Sequence, residues 1–327
     1  MRSHLLTGAT VNHRAEFARD VRHGLRQTPK ALSCRFFYDA EGSRLFEAIC
    51  ALPEYYLTRA ERAILRNHAD SIVAACPPAV TLVELGSGSA VKTRWLIEAL
   101  LRRQPNLRYV PIDISPTALT DSTQQLVDDY PQLEVAAIAA EYREGLRQLP
   151  TAAPGPKLVL WLGSNVGNFD RVEATNFLRE VRQALTTDDR LLLGIDLRKD
   201  ASILERAYDD RQGVTATFNL NLLARINRDL GGHFDLGAFR HRAVWNDTAG
   251  RVEMYLVSTG KQRVRIDALE MEVAFAEGEA IHTENSYKYS PEEIAALAKA
   301  IDCSIMGRWT DAEGRFSENL LAPIQVE

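Results

Sequence analysis

Short apolar runs alternate with helix-period stretches through the middle of the chain. The runs are Val80–Leu85, Arg108–Ile112, Leu133–Ala139, Lys157–Leu162 and Arg190–Leu197. Their continuous apolar character is that of strands covered on both faces. Between them, Arg59–Ala75 sets Ala63, Ile64 and Val73 on one helical stripe. Ser115 before Pro116 reads as an N-cap with proline in the first turn. Asp170 and Glu173 read as a capping box, and Phe177, Leu178, Val181 and Leu185 follow at helical spacing. Strand and helix in alternation predict crossovers, and hence a parallel sheet with helices on both faces.

The rhythm differs at both flanks. Residues 1–60 read as short helices and loops rich in aromatics, and 201–240 as irregular helix. Ala243–Asn246, Val252–Ser258, Val264–Ile266 and Met271–Phe275 read as antiparallel strands, with turns at Asp247–Gly250 and Thr259–Gly260. Ser290, Pro291 and Glu293 open a last helix, and Leu320–Gln325 is expected to return a strand to the main sheet. The predicted fold is α/β: a Rossmann-like parallel sheet with an antiparallel edge over 61–198 and 287–327. A discontinuous α+β domain is expected from 1–60 and 199–286.

Composition narrows the function. The 327 residues are 46% apolar and 25% charged, enough to build a core without staples. With 39 basic against 44 acidic residues the net charge is −5, which argues against a nucleic-acid footprint. Arg240, His241 and Arg242 are too short a basic run to change this and read as a solvated face. Cys34, Cys50, Cys76 and Cys303 form no C-x-x-C pair, so reduced thiols in a cytoplasmic protein are expected. No apolar run suits a membrane span or secretory signal. The histidines show no metal-ligand spacing, so no metal is expected, and nothing demands more than a monomer.

The candidate chemistry begins where Thr81–Leu85 meets Gly86-Ser87-Gly88-Ser89. Glycines there let backbone approach a ligand, and the following helix start offers free N–H groups. A dinucleotide fingerprint would have a third glycine where Val91 stands. Asp113, at the end of the next strand, suits the two hydroxyls of a ribose, or a helix cap. Glu141 and Tyr142, after the third, suit an adenine amino group and ring face. S-adenosylmethionine tolerates the missing glycine better than NAD does, and Glu84 with the turn backbone can meet its amino acid end. Glu284 and Ser286 are two apart, so an extended strand points both to one side, which suits either an exposed strand face with a capping serine or a pairing with the two nitrogens of an imidazole.

Longer motifs carry a resemblance. Phe36-Phe37-Tyr38-Asp39-Ala40-Glu41-Gly42-Ser43-Arg44-Leu45-Phe46, Leu52-Pro53-Glu54-Tyr55-Tyr56-Leu57-Thr58-Arg59-Ala60-Glu61, Glu84-Leu85-Gly86-Ser87-Gly88 with Lys92-Thr93, Leu162-Gly163-Ser164-Asn165-Val166-Gly167-Asn168-Phe169 and Ile281-His282-Thr283-Glu284-Asn285-Ser286-Tyr287-Lys288-Tyr289-Ser290 are similar to those of the histidine-specific methyltransferases of ergothioneine biosynthesis. The resemblance implies a class I S-adenosylmethionine-dependent methyltransferase domain with a separate substrate-binding domain, and three methyl transfers to the α-amine of L-histidine, giving hercynine. It implies a cofactor site at Gly86, Lys92, Asp113, Glu141 and Tyr142. It places histidine at Tyr55, Asn168, Tyr208, Glu284 and Ser286, with Tyr38 beside the amine, so that Asn168 and Tyr38 serve catalysis. Two departures stand out. Glu141-Tyr142 replaces an Asp-Phe type pair, and Asn-Ser-Tyr replaces Val-Ser-Cys after Glu284 in mycobacterial members. The alternatives are the same fold acting on another amine, such as a tryptophan derivative, an NAD-linked oxidoreductase, or a silent S-adenosylmethionine-binding module.

Overall fold

The computed structural model describes residues 3–7, 13–114 and 116–325. Ser115, the expected N-cap, lies outside the described residues, although the helix Pro116–Asp129 follows it. The strands, in chain order, are β1 (Ser3–Thr7), β2 (Lys30–Ala31), β3 (Thr81–Leu85), β4 (Leu107–Asp113), β5 (Leu133–Ala139), β6 (Lys157–Trp161) and β7 (Arg190–Asp196). Then come β8 (Phe239–Asn246), β9 (Arg251–Ser258), β10 (Gln262–Ile266), β11 (Met271–Phe275), β12 (Ala280–Tyr287), β13 (Cys303–Thr310) and β14 (Phe316–Pro323).

The chain divides into two compact units. The first comprises Met1–Thr10, Leu57–Arg198 and Tyr289–Glu327. Its eight-stranded sheet has the order β1-β5-β4-β3-β6-β7-β14-β13. Strands β1 to β7 in this sheet run parallel, and β14 is antiparallel to both β7 and β13. Every residue of β3 and β6 is buried, as the uninterrupted apolar runs required. Leu65 and Ile72 of the helix Tyr56–Ala74 share a core with Leu82, Leu96, Tyr109, Leu158 and Leu320. The Asp170 capping box is present, its carboxylate accepting from Val172 N–H and Glu173 N–H, an arrangement that stabilises a helix start by about 1 kcal/mol.

The strand order reverses at β3, whose neighbours are β4 and β6. In open α/β sheets the ligand crevice opens outside the carboxyl ends of the strands at such a reversal. The turns after β3, β4, β5 and β6 are therefore the rim to inspect.

The second unit comprises Val11–Tyr56 and Lys199–Lys288. It holds a four-stranded sheet, β2-β12-β9-β8, and the hairpin β10-β11. The long helix Val214–Leu230 buries Phe218, Leu222 and Ile226 and packs on the helix Ala40–Ala51 and on β8. Ser3–Thr7, expected with this unit, instead group with the first through β1. Such a short parallel edge strand carries no periodic signal of its own.

Candidate active site

The cofactor candidates gather at the rim of the first unit. Three residues of the glycine turn take positive φ: Gly86 (74°), Gly88 (49°) and Ala90 (51°). Gly86 N–H continues the β3–β4 ladder to the Ile112 carbonyl at 2.8 Å. Gly88 N–H donates to Asp113 Oδ2 at 3.0 Å, so Asp113 ties the turn to the end of β4. A Cβ on Gly86 would sit 2.6 Å from the Tyr142 hydroxyl. Tyr142 is partly buried against Trp161 and Phe177, and burial, reinforced by the Asp113 charge, pushes its hydroxyl up to about 12. Glu141 is exposed at the N-cap of the helix Tyr142–Ala152. Asn168 is half-buried at the end of a short 3-10 turn after β6. That turn is fastened to β7, where Asp196 N–H donates to Ser164 Oγ at 2.9 Å.

Lys92 shows how a charge is held at this rim. Its ammonium is bonded to Glu61, which is 1% exposed, while 26% of the Lys92 side chain remains accessible. Burial opposes the charge, but the Glu61 carboxylate outweighs it and raises the Lys92 pKa. Glu61 also accepts from Gly163 N–H, which fixes the loop after β6. Glu318 on β14 completes the cluster. Gly194 leaves the space: a Cβ there would lie 2.6 Å from Glu61 Oε1 and 3.1 Å from Glu318 Oε1. Burial and the Glu61 charge hold the Glu318 carboxyl far above its ordinary range.

Glu84 corrects an expectation. It does not face the rim; it is 2% exposed, with both oxygens bonded to Thr93 Oγ1 and one to the Tyr109 hydroxyl. Burial pushes its carboxyl up to about 7 against those hydrogen bonds. It braces the glycine turn from below and cannot meet an amino acid end.

The rim fits S-adenosylmethionine on its own features. Space around Gly88 is open where a Cβ would point. Ser87 Oγ in the same turn is buried without a hydrogen-bond partner among the described residues, the kind of atom a polar ligand satisfies. Lys92 offers a cation for a carboxylate, and Asp113 an acceptor for ribose hydroxyls.

The substrate candidates gather on the second unit. A row of rings runs from Tyr38 through Phe46 and Tyr55 to Tyr208, with centroid spacings of 5.5, 6.3 and 6.2 Å. Phe218 lies beside it, 5.9 Å from Tyr38. Phe36 and Phe37 are core, and Phe46 is half-exposed and belongs to the row. Asp39 anchors the Tyr38 end, accepting from Gly42 N–H at 2.7 Å, Asn221 at 2.8 Å and Arg228 at 2.7 Å. At the other end the Tyr208 hydroxyl lies 2.7 Å from Ser286 Oγ, and His241 Nε2 meets the Tyr208 carbonyl at 2.8 Å. Asn219 Nδ2 meets His241 Nδ1 at 2.9 Å. Burial lowers the His241 pKa, and a neutral ring donating from Nε2 satisfies both contacts. His241 is therefore a support for Tyr208 rather than part of a solvated basic face.

Glu284 and Ser286 share one side of β12, beyond a bulge between His282 and Glu284. Burial pushes the Glu284 carboxyl up to about 7, moderated by Lys288. Lys288, fully buried, donates to both Ser286 Oγ and the Tyr208 hydroxyl. Four residues were missed on sequence: Glu61, Glu318, His241 and Lys288. Of these, Lys288 had a usable signal, since it extends the period of two from Glu284 and Ser286. Next to Tyr55, the Tyr56 hydroxyl accepts from Lys199 at 2.7 Å. No group of metal-ligating side chains occurs among the described residues.

A family model described as histidine-specific methyltransferase, SAM-dependent, matches residues 17–323. The chain belongs to that family. A histidine N-alpha-methyltransferase of Mycobacterium tuberculosis (strain CDC 1551 / Oshkosh) is 43% identical over 320 residues, covering 96% of this chain and 99% of that relative. An ergothioneine biosynthesis protein 1 of Neurospora crassa is 31% identical over 287 residues, covering 86% of this chain and 32% of that longer relative. A crystal structure from Thermobifida fusca YX assigned as a methyltransferase shares the fold, with a TM-score of 0.50 at 13% identity over 88% of this chain and 90% of that one. The first unit is thus a class I methyltransferase sheet, and S-adenosylmethionine is the methyl donor of the family.

Proposed function

We propose that the chain methylates the α-amine of L-histidine three times to give hercynine, the first step of ergothioneine biosynthesis. The observation that carries this reading is the pairing of Glu284 with Ser286 on one side of β12, at the end of the aromatic row. A half-buried carboxylate accepts an imidazole N–H, and a hydroxyl meets the other ring nitrogen. The unit made of 11–56 and 199–288 is on this reading the histidine-binding domain.

The residues then take distinct tasks. Bound S-adenosylmethionine supplies an electrophilic methyl carbon. Asp113 holds its ribose, Gly86 and Lys92 its amino acid end, and the 141–142 segment its adenine. Asn168 holds the substrate carboxylate, Tyr208 borders the ring end through its bond to Ser286, and Asn168 and Tyr38 orient the amine. The nucleophile is the neutral amine, since an ammonium has no lone pair, and holding it in line provides most of the acceleration. The rings of Tyr38, Phe46 and Tyr55 favour the methylated ammonium through cation–π attraction. Cysteine usage supports a cytoplasmic setting, and light scattering at the 36.6 kDa of one chain checks the monomer.

Incubation with donor and histidine, read by mass spectrometry, is expected to show mono-, di- and trimethylhistidine. Calorimetry separates the two ends: Glu284→Ala weakens histidine about tenfold or more and leaves the donor within about twofold, and Asp113→Ala does the reverse. A histidine pool that stays unmethylated, or equal losses for both ligands, would sink the assignment.

A further inference from the structure

Lys288 is fully buried, and the scheme above gives it no task. Its Nζ donates to Ser286 Oγ at 2.8 Å and to the Tyr208 hydroxyl at 2.8 Å. Those two hydroxyls are 2.7 Å apart. Three polar atoms thus close a triangle, with the ammonium 4.7 Å above the centre of the Tyr208 ring.

Donor accounting decides what this triangle offers a ligand. An ammonium has three protons and no lone pair, so both hydroxyls accept from Lys288. One hydroxyl proton is spent between Tyr208 and Ser286, whichever of them donates. The other cannot turn back to Lys288. When Tyr208 donates to Ser286, that remaining proton is Ser286 Oγ–H. Without the ammonium, Ser286 Oγ would keep a lone pair free to accept from a ring N–H instead.

We propose that Lys288 is a specificity-determining positioning residue: with Tyr208 donating to Ser286, the ammonium fills the last lone pair of Ser286 Oγ and leaves its proton to present. The site then selects a ring with a lone-pair nitrogen on that side, the neutral imidazole whose N–H is bound by Glu284. An indole, whose one nitrogen is a donor, has nothing to accept that bond. This inference rests on histidine being the substrate.

The experiment compares histidine with a pyrrolylalanine, which keeps a ring N–H and lacks the second nitrogen. Dissociation constants for both, and for S-adenosylmethionine, are measured by calorimetry on the wild type, Lys288→Met, Ser286→Ala and the double variant. The wild type is expected to prefer histidine by about tenfold or more, the size of one hydrogen bond in a buried site. In Lys288→Met that preference falls toward one while donor affinity stays within about twofold. Ser286→Ala does the same, and the double variant loses no more than either single. Lys288→Gln, a neutral donor of similar length, is expected to restore part of the preference. An unchanged preference in Lys288→Met, or additive losses in the double variant, would overturn the proposal. So would loss of donor and histidine binding together in both Lys288 variants, which would make Lys288 a determinant of stability alone. Wild-type turnover is the control: no methylated histidine fails the functional reading, whereas product with unchanged ring preference fails only the inference.

Discussion

Glu284 titrates in the range where the enzyme would work. Burial brings its carboxyl to about 7, with Lys288 pulling the other way. The ionised form accepts an imidazole N–H more strongly than the protonated one, so histidine affinity is expected to rise as pH climbs from about 6 to 8. Glu284→Gln should bind about tenfold more weakly at pH 8 and should show a flatter pH profile by calorimetry. The ligand's own ring titrates in the same range, so the difference between the two proteins is the readout; identical profiles would remove Glu284 from the ring. At this scale, the sequence showed what local spacing can show. The two-residue interval gave Glu284 and Ser286. It could not show that His241, between Arg240 and Arg242, turns inward to Asn219, because that partner lies on a different element. Nor could it show that Glu84, next to the glycine turn, points into the core toward Tyr109.

The turn before the helix Ala40–Ala51 depends on one missing side chain. A Cβ on Gly42 would fall 1.7 Å from the Phe37 carbonyl oxygen, inside the bonds that Asp39 makes to Gly42 N–H and Arg228. Gly42→Ala must displace the 37–39 segment and with it Tyr38. The expected cost is about 1–3 kcal/mol, read by urea unfolding, with a rise in histidine KM larger than any change in donor KM. Unchanged stability would show that the segment yields without strain. Elements were legible where their pattern was uniform: β5 matches its apolar run, and β3, β6 and β7 differ from theirs by a residue. Strand β13 was missed, and its geometry gives the reason. A register shift between Ile305 and Gly307 breaks the alternation that identifies a strand, and Met306 lies exposed within it.

Across the first unit, buried acids set the pH response. Glu84 has a folded-state pKa raised to about 7, above its unfolded value. Its contribution to stability is therefore fully present below about pH 4.5 and lost as pH rises through about 7. The difference amounts to about 3 kcal/mol by linkage. Glu318 is raised as well and adds to the same sign. Thermal unfolding of the wild type relative to Glu84→Gln should accordingly fall between pH 5 and 8; a constant difference would show that Glu84 ionises without penalty. The alternation of strand and helix made the parallel sheet legible at this scale. The grouping of Ser3–Thr7 was not, because pairing of β1 with β5 is a contact between distant stretches of sequence.

One feature of that sheet bears on how the molecule is made. Strand β14 lies between β7 and β13, with Leu321 paired to Leu191 and Phe316 to Asp196. The whole of 199–288 is synthesised between those partners. During translation β7 therefore emerges with one apolar edge uncovered, and it stays so until Phe316–Pro323 has followed it. That interval exposes the nascent chain to mispairing and to chaperone capture, and a stop codon placed shortly before Phe316 would leave the edge permanently open.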